Sequence, residues 1–188
     1  IVDYIGGNVP LLRPANYPPD AAGRGYGVFT CKDGVTQVGV LNVIGRVYMG
    51  PADCPFRTAD AAVQAMSERT RLIVVDVHAE ATSEKVAMGW HLDGRVTAVV
   101  GTHTHIQTAD ERILPQGTAY LTDTGMTGPY DSVIGRETPK VLHRFLTGMY
   151  APFDVATGDV RLCGVLVEAD PSSGKARSVE RVALRSAS

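Results

Sequence analysis

What the chain lacks narrows it first. Only Cys31, Cys54 and Cys163 are cysteine among 188 residues, an odd number, widely spaced and without a C-x-x-C pair. That argues against a disulfide framework and reads as reduced thiols in a cytoplasmic protein, each expected to act as a small buried hydrophobe. Charge of one sign is missing too: the formal net charge is −2, so charge alone points to neither nucleic acid nor a membrane surface. No apolar run approaches the ~20 residues of a membrane span. No charged-then-apolar leader precedes a cleavage site. Internal repeats and low-complexity segments are absent as well. The chain also lacks an initiator methionine, opening Ile1-Val2-Asp3-Tyr4, and reads as a piece whose beginning lies elsewhere or as a processed product.

What is present suits one ordinary globular domain: 188 residues, 44% hydrophobic and 20% charged. Residues 8–27, with Asn8, Pro10, Pro14, Pro18, Pro19 and several glycines, read as an irregular connection, with Leu11-Leu12 as a short strand. Two β-branched runs, 27–31 and 35–44, flank Lys32-Asp33-Gly34, a strong hairpin signal. A loop over 45–57 leads to a helix expected to start with Thr58 as N-cap and to bury Ala59, Ala62, Val63 and Met66. A strand over 72–77, a helix over 83–90 capped by Thr82 or Ser83, and a strand over 96–100 form a β-α-β unit, expected to be parallel and right-handed. Further on come a second hairpin (112–114 with 118–122), a glycine-rich loop from Asp123 to Pro129, a helix over 138–146 and two final strands, 159–169 and 176–184. The pattern is a mixed α/β domain with two packed sheets and outer helices.

The chemistry collects where two strand-like runs end in histidine. One is Leu72-Ile73-Val74-Val75-Asp76-Val77-His78; the other is Val99-Val100-Gly101-Thr102-His103-Thr104-His105, broken at its glycine. Carboxyl ends of strands are where open α/β sheets bind ligands, and imidazole is the commonest ligand for borderline metals. If the segment stays extended, His103 and His105 share a face; in a loop they splay towards two metals. A two-metal site is the usual machinery for phosphate ester hydrolysis. The nearby acids are Asp76, Glu80, Glu84 and Asp123. Asp76 is expected to share a face with His78, Glu80 is either support for a histidine or simply solvated, and Glu84 is solvated or structural. His91 and His143 are expected to be ordinary helix residues. The Asp123–Pro129 loop either offers amides to a phosphate or is a turn without contacts. Trp90 and Tyr130 are read as core or rim rather than as base-stacking residues.

Three stretches then carry a resemblance. Residues 76–85 (Asp-Val-His-Ala-Glu-Ala-Thr-Ser-Glu-Lys), 101–110 (Gly-Thr-His-Thr-His-Ile-Gln-Thr-Ala-Asp) and 122–131 (Thr-Asp-Thr-Gly-Met-Thr-Gly-Pro-Tyr-Asp) resemble the YmdB-like metallophosphoesterases of the calcineurin-like phosphoesterase superfamily. Residues 12–18 resemble a further stretch of that family. The resemblance implies a four-layer α/β/β/α sandwich of two mixed sheets with a dinuclear centre of iron or manganese. It implies that His78 and His103 bind one metal and His105 the other. It implies hydrolysis of 2′,3′- or 3′,5′-cyclic nucleotides, small-molecule phosphodiesters, by metal-activated hydroxide in a cytoplasmic enzyme, with a homo-oligomer compatible. The family's N-terminal motifs, which supply an aspartate, a glutamate, an asparagine and the histidine general acid, have no counterpart here, and neither Asp3 nor Asn8 replaces them. Residues 1–188 are therefore expected to be the C-terminal portion of one metallophosphoesterase domain, incomplete at its N-terminus. Two other readings stand beside this one: a phosphomonoesterase or poly-γ-glutamate-synthesis-type relative in the same superfamily, and a non-catalytic binding or regulatory chain.

Overall fold

The computed structural model describes residues 2–7 and 9–186; Ile1 and Asn8, named above, lie outside them. A short helix α1 (Val2–Ile5) precedes an irregular segment. There Leu12 makes only an isolated bridge with Arg24, not a strand. The first hairpin is β1 (Tyr26–Thr30) and β2 (Gln37–Ile44), its turn tied by Asp33 Oδ1, which accepts from the amides of Val35 and Thr36. Helix α2 (Pro55–Ser67) begins three residues before the expected cap. Cys54 is its N-cap and Pro55 its first residue, because proline's fixed φ and missing N–H suit a first turn. Then come β3 (Ile73–His78), α3 (Thr82–Leu92) and β4 (Ala98–Thr102). Ala81 is the N-cap of α3, so neither Thr82 nor Ser83 caps it. β5 (Arg112–Ile113) and β6 (Ala119–Leu121) form the second hairpin. The glycine-rich stretch contains β7 (Thr127–Pro129), and the chain closes with α4 (Thr138–Thr147), β8 (Val160–Ala169) and β9 (Ala176–Arg185).

Two sheets result. The larger, ordered β1-β2-β3-β4-β6-β5, is mixed: β2, β3, β4 and β6 run parallel and the edge strands antiparallel. The smaller, β7-β8-β9, is antiparallel throughout the described residues.

Alternation along β3 sorts the layers. Ile73, Val75 and Val77 face the helices and meet Ala59, Ala62, Val63 and Met66 of α2 and Met88 and Leu92 of α3. Each such large side chain contributes roughly 1.5–3 kcal/mol on full burial. On the opposite face Val74, Ala98 and Ala119 pack against Val167, Ala176 and Val179 of the smaller sheet. The small alanines there let the two sheets approach, while Asp76 and His78, further along the same face of β3, project at its carboxyl end. Helix α4 buries only Val141. None of the described helices is long and apolar enough to cross a membrane. The three thiols are not core: Cys31 is exposed, and Cys54 and Cys163 are half-buried.

Candidate metal centre at the strand ends

Parallel pairing sets Asp76 beside Val100 and His78 beside Thr102. Asp76, His78 and Thr102 therefore share one face, and the structure joins them in a chain of hydrogen bonds. Asn42 Nδ2, on the neighbouring strand, donates to Asp76 Oδ2 at 2.5 Å. The Thr102 hydroxyl donates to Asp76 Oδ1 at 2.8 Å, and His78 Nδ1 lies 3.0 Å from that same hydroxyl oxygen. With its proton committed to Asp76, Thr102 accepts from His78, so His78 carries its hydrogen on Nδ1 and leaves Nε2 bare. Burial pushes the Asp76 carboxyl above the usual carboxylate range, against the hydrogen bonds from Thr102 and Asn42. Burial also holds His78 below its ordinary value, and the neighbouring His103 adds to this.

The bare Nε2 of His78 faces His103 Nδ1 at 3.1 Å, with the two rings 4.8 Å apart and nearly perpendicular. The other nitrogen of His103 lies 3.1 Å from Glu80 Oε2. A neutral His103 donating Nε2–H to Glu80 points a second lone pair at that of His78. In that tautomer the two near nitrogens are both acceptors and can share a cation; with its hydrogen on Nδ1, His103 instead donates to His78. Two metal–nitrogen bonds of about 2.1 Å meeting near a right angle hold their nitrogens about 3 Å apart. The donor set therefore fits a metal ion. Glu80 is not simply solvated: it lies against His103, in the position of a carboxylate that orients an imidazole.

His105 stands apart. Its Nδ1 donates to the Ile134 carbonyl at 3.1 Å, which again leaves Nε2 bare. His103 and His105 have φ of 99° and 66°, so the segment turns sharply and the extended arrangement is not adopted. Among the described residues no group of three or more His, Cys, Asp or Glu converges on one metal position. His105 instead lines a cavity of about 370 Å³ together with Arg136, whose guanidinium lies 4.4 Å from the centre of the Phe153 ring.

The turn that carries these histidines rests on a buried ion pair. Lys85, 1% exposed, reaches from α3 to Asp123, 0% exposed, at 2.8 Å. Lys85 Nζ also donates to the Thr102 carbonyl at 3.0 Å. Asp123 Oδ2 accepts from the Thr104 amide at 3.1 Å and its hydroxyl at 2.6 Å, and Oδ1 from the Gly125 amide at 2.9 Å. The Thr108 amide donates to the Asp123 carbonyl. Both sides of the His103–His105 turn are thus tied to one carboxylate residue. Non-glycine residues at positive φ cost of order 1–3 kcal/mol each and persist only when their surroundings over-determine them. Gly101 makes the arrangement possible. It does not break the strand but lies within β4, where a Cβ would stand 1.7 Å from the Thr122 carbonyl oxygen and 2.5 Å from Lys85 Cδ.

Sequence reasoning missed this anchor, although a signal was there. Lys85, Met88, Gly89 and Leu92 are spaced i, i+3, i+4, i+7 and are all buried. A lysine on an apolar stripe demands a buried acid. Asn42 was missed in the same way: it is a polar residue inside the β-branched run of a central strand. Glu84 is structural, accepting from the amides of Arg46 and Val47 just beyond β2. His91 pairs with Asp60, and His143 lies exposed on α4. Trp90 is half-exposed beneath Arg112, and the Tyr130 hydroxyl donates to Cys163 Sγ. Since the Gly125 amide is spent on Asp123, the glycine-rich loop serves the turn.

Comparison with known proteins gives the family and the fold. A family model described as YmdB-like protein matches residues 1–182. The 2′,3′-cyclic-nucleotide 2′-phosphodiesterase of Bacillus subtilis is 47% identical over 182 residues, 97% of this chain and 68% of that protein. A crystal structure of a hypothetical protein from Thermus thermophilus superposes with a TM-score of 0.89 at 40% identity, covering 97% of this chain and 70% of that one. One described as a novel phosphatase from Mycoplasma pneumoniae gives 0.87 at 33% identity, covering 98% and 66%. The chain spans 62–68% of the length of the curated relatives it matches.

Proposed function

Because the chain belongs to the YmdB-like protein family, we propose that it forms the histidine-bearing part of a metal-dependent phosphodiesterase acting on cyclic nucleotides in the cytoplasm. The observation that carries the reading is the facing pair of His78 and His103, each with its remote nitrogen held by an acceptor and its near nitrogen turned to a common point. The 47% identical Bacillus protein favours a 2′,3′-cyclic nucleotide as the substrate.

In this reading His78 and His103 hold one metal ion and His105 belongs to a second, with iron or manganese suited to the imidazole set. Bound there, the metals supply a nucleophile from water and neutralise charge on the phosphorus centre. The remaining work falls to the chain's own groups. The Asp76–Thr102 pair keeps His78 in the tautomer that presents Nε2. Glu80 does the same for His103, and the Ile134 carbonyl for His105. The Lys85–Asp123 pair holds the turn, so the imidazoles need not reorganise when an ion arrives. Arg136, which shares a cavity with His105, offers a positive charge to a phosphodiester anion.

The test is hydrolysis of 2′,3′-cyclic AMP with Mn²⁺ or Fe²⁺, compared with 3′,5′-cyclic AMP and with p-nitrophenyl phosphate. Metal-dependent turnover that favours the cyclic 2′,3′ diester is expected. Preference for the linear monoester would make the protein a phosphatase instead. No turnover with metal bound would leave a binding or regulatory chain.

A further inference from the structure

A second concentration of chemistry lies on the helix-packed side of the larger sheet. Between residues 13–26 and the first turn of α2 is a cavity of about 660 Å³, within the range of small-molecule sites. Arg13, Arg24 and Arg57 line it. Among the described residues none of the three forms an ion pair with a carboxylate. Arg24 rests 5.4 Å from the centre of the Phe29 ring. Arg13 donates from Nη1 to the Pro14 carbonyl at 2.7 Å, but its Nε is buried with no hydrogen-bond partner. A buried donor on a charged group without an acceptor is costly, and an anion entering the cavity supplies Arg13 with one between the solvent-facing guanidiniums of Arg24 and Arg57.

The cavity is held open by close backbone packing. A Cβ on Gly25 would stand 2.1 Å from Ala15 Cα, so only glycine lets the 24–26 and 13–15 segments close against each other to form the wall. The rest of the lining is selective. Asp53 is the one carboxylate in it, suited to a hydroxyl rather than a phosphate, and Tyr26 presents a half-exposed aromatic face. The positive end of α2 opens into the same space at Cys54.

We propose that this cavity is a second, non-catalytic binding site for a nucleoside monophosphate. Its phosphate lies among Arg13, Arg24 and Arg57, a sugar hydroxyl on Asp53 and the base against Tyr26. Neither the residues nor the ligand set overlap the histidine cluster, so the site stands whether or not the phosphodiesterase reading does.

Two thiols of the same chain provide the readout. Cys54 lines the cavity, and Cys31 is exposed beyond β1. The amides of Arg57 and Phe56 and the charges of Arg46 and Arg57 hold the Cys54 thiol below its ordinary value, against the effect of burial. Adenosine monophosphate is titrated into the protein while iodoacetamide labelling is followed peptide by peptide. Cys54 labelling is expected to slow about tenfold, the effect of a one-unit rise in thiol pKa, with Cys31 unchanged. By calorimetry, adenosine monophosphate binds more tightly than inorganic phosphate. Arg13→Gln and Arg57→Gln each weaken it by about tenfold or more, with circular dichroism and phosphodiesterase turnover retained. His103→Asn abolishes turnover and leaves Cys54 protection intact. The proposal is overturned if Cys54 labels at an unchanged rate when adenosine monophosphate is saturating. It is equally overturned if His103→Asn removes the protection, which would put the nucleotide at the histidines, or if inorganic phosphate binds as well as the nucleotide.

Discussion

Two ion-pair clusters in this protein use similar groups to opposite ends. Lys85 and Asp123 meet at 2.8 Å with both side chains out of solvent, and every oxygen of that carboxylate is occupied. Asp60, Arg95 and His91 meet at 2.6 and 2.9 Å on the outer surface of the helices, each side chain a third or more exposed. The first cluster ties down the His103–His105 turn. The second joins α2 to the end of α3, and water competes for each of its partners. Burial, not distance, separates them: removing one partner from a buried pair strands a charge, whereas at the surface water replaces it.

The comparison is broken most severely at the buried end. Lys85→Met leaves Asp123 charged and unpaired, and about 3–5 kcal/mol of stability is expected to be lost in denaturant unfolding. The double variant Lys85→Met with Asp123→Leu recovers much of that loss, because no charge is stranded. It does not recover metal binding, because nothing then holds the Thr104 amide and the turn relaxes. If the double variant binds Mn²⁺ as well as the wild type, the pair does not position the histidines.

Gly101→Ala attacks the same region sterically. With the Thr122 carbonyl 1.7 Å from the new Cβ, β4 and the segment after β6 must separate, at a cost of about 1–3 kcal/mol or more, read from the denaturation midpoint.

Glu80→Gln sharpens the contrast, since it acts on function without touching the core. The partners are a third to a half exposed, so stability stays close to wild type. Metal affinity, measured by titration with Mn²⁺, is expected to fall about 10–100-fold.

The smallest effect is at the surface cluster. Hydrogen bonds from Arg95, and secondarily His91, hold the Asp60 carboxyl below the usual carboxylate range against the effect of burial. A depressed carboxylate stabilises the fold above its unfolded pKa, near 4, and loses that contribution as pH falls through the lower folded value. Arg95→Gln is expected to cost about 0.2–1 kcal/mol at neutral pH. The difference from wild type should vanish in the acid limb of a stability–pH profile, and weaken with salt.

Much of the fold was legible because it rests on local patterns. The β-α-β unit, both early hairpins and the Ala59–Ala62–Val63–Met66 stripe follow from periodicity and turn residues, and all are present. Helix starts were less legible. Pro55 reads as a loop residue and Thr58 as a cap, yet proline is equally at home in a first turn. The pairing of β7 with β8 was not visible either, since strand pairing across some 30 residues leaves no local mark, whereas β8 and β9 are joined by a short turn. At the candidate site His78, His103 and His105 stood out as strand-end histidines, and Asp76 as a neighbour on one face. What joins them was hidden, because Thr102, Asn42 and Lys85 are ordinary residues until register brings them together.

By itself, the sequence determined which groups stand at the carboxyl ends of the parallel strands. Side-chain alternation is a property of the extended chain, and two apolar runs each lead into histidine. Only the tertiary structure decided which ring nitrogens are left bare, that the chain turns sharply between His103 and His105, and that one buried lysine holds it there. Those outcomes depend on hydrogen bonds between strands and helices far apart in the chain. Their strength comes from the exclusion of water, which no local stretch of sequence can arrange.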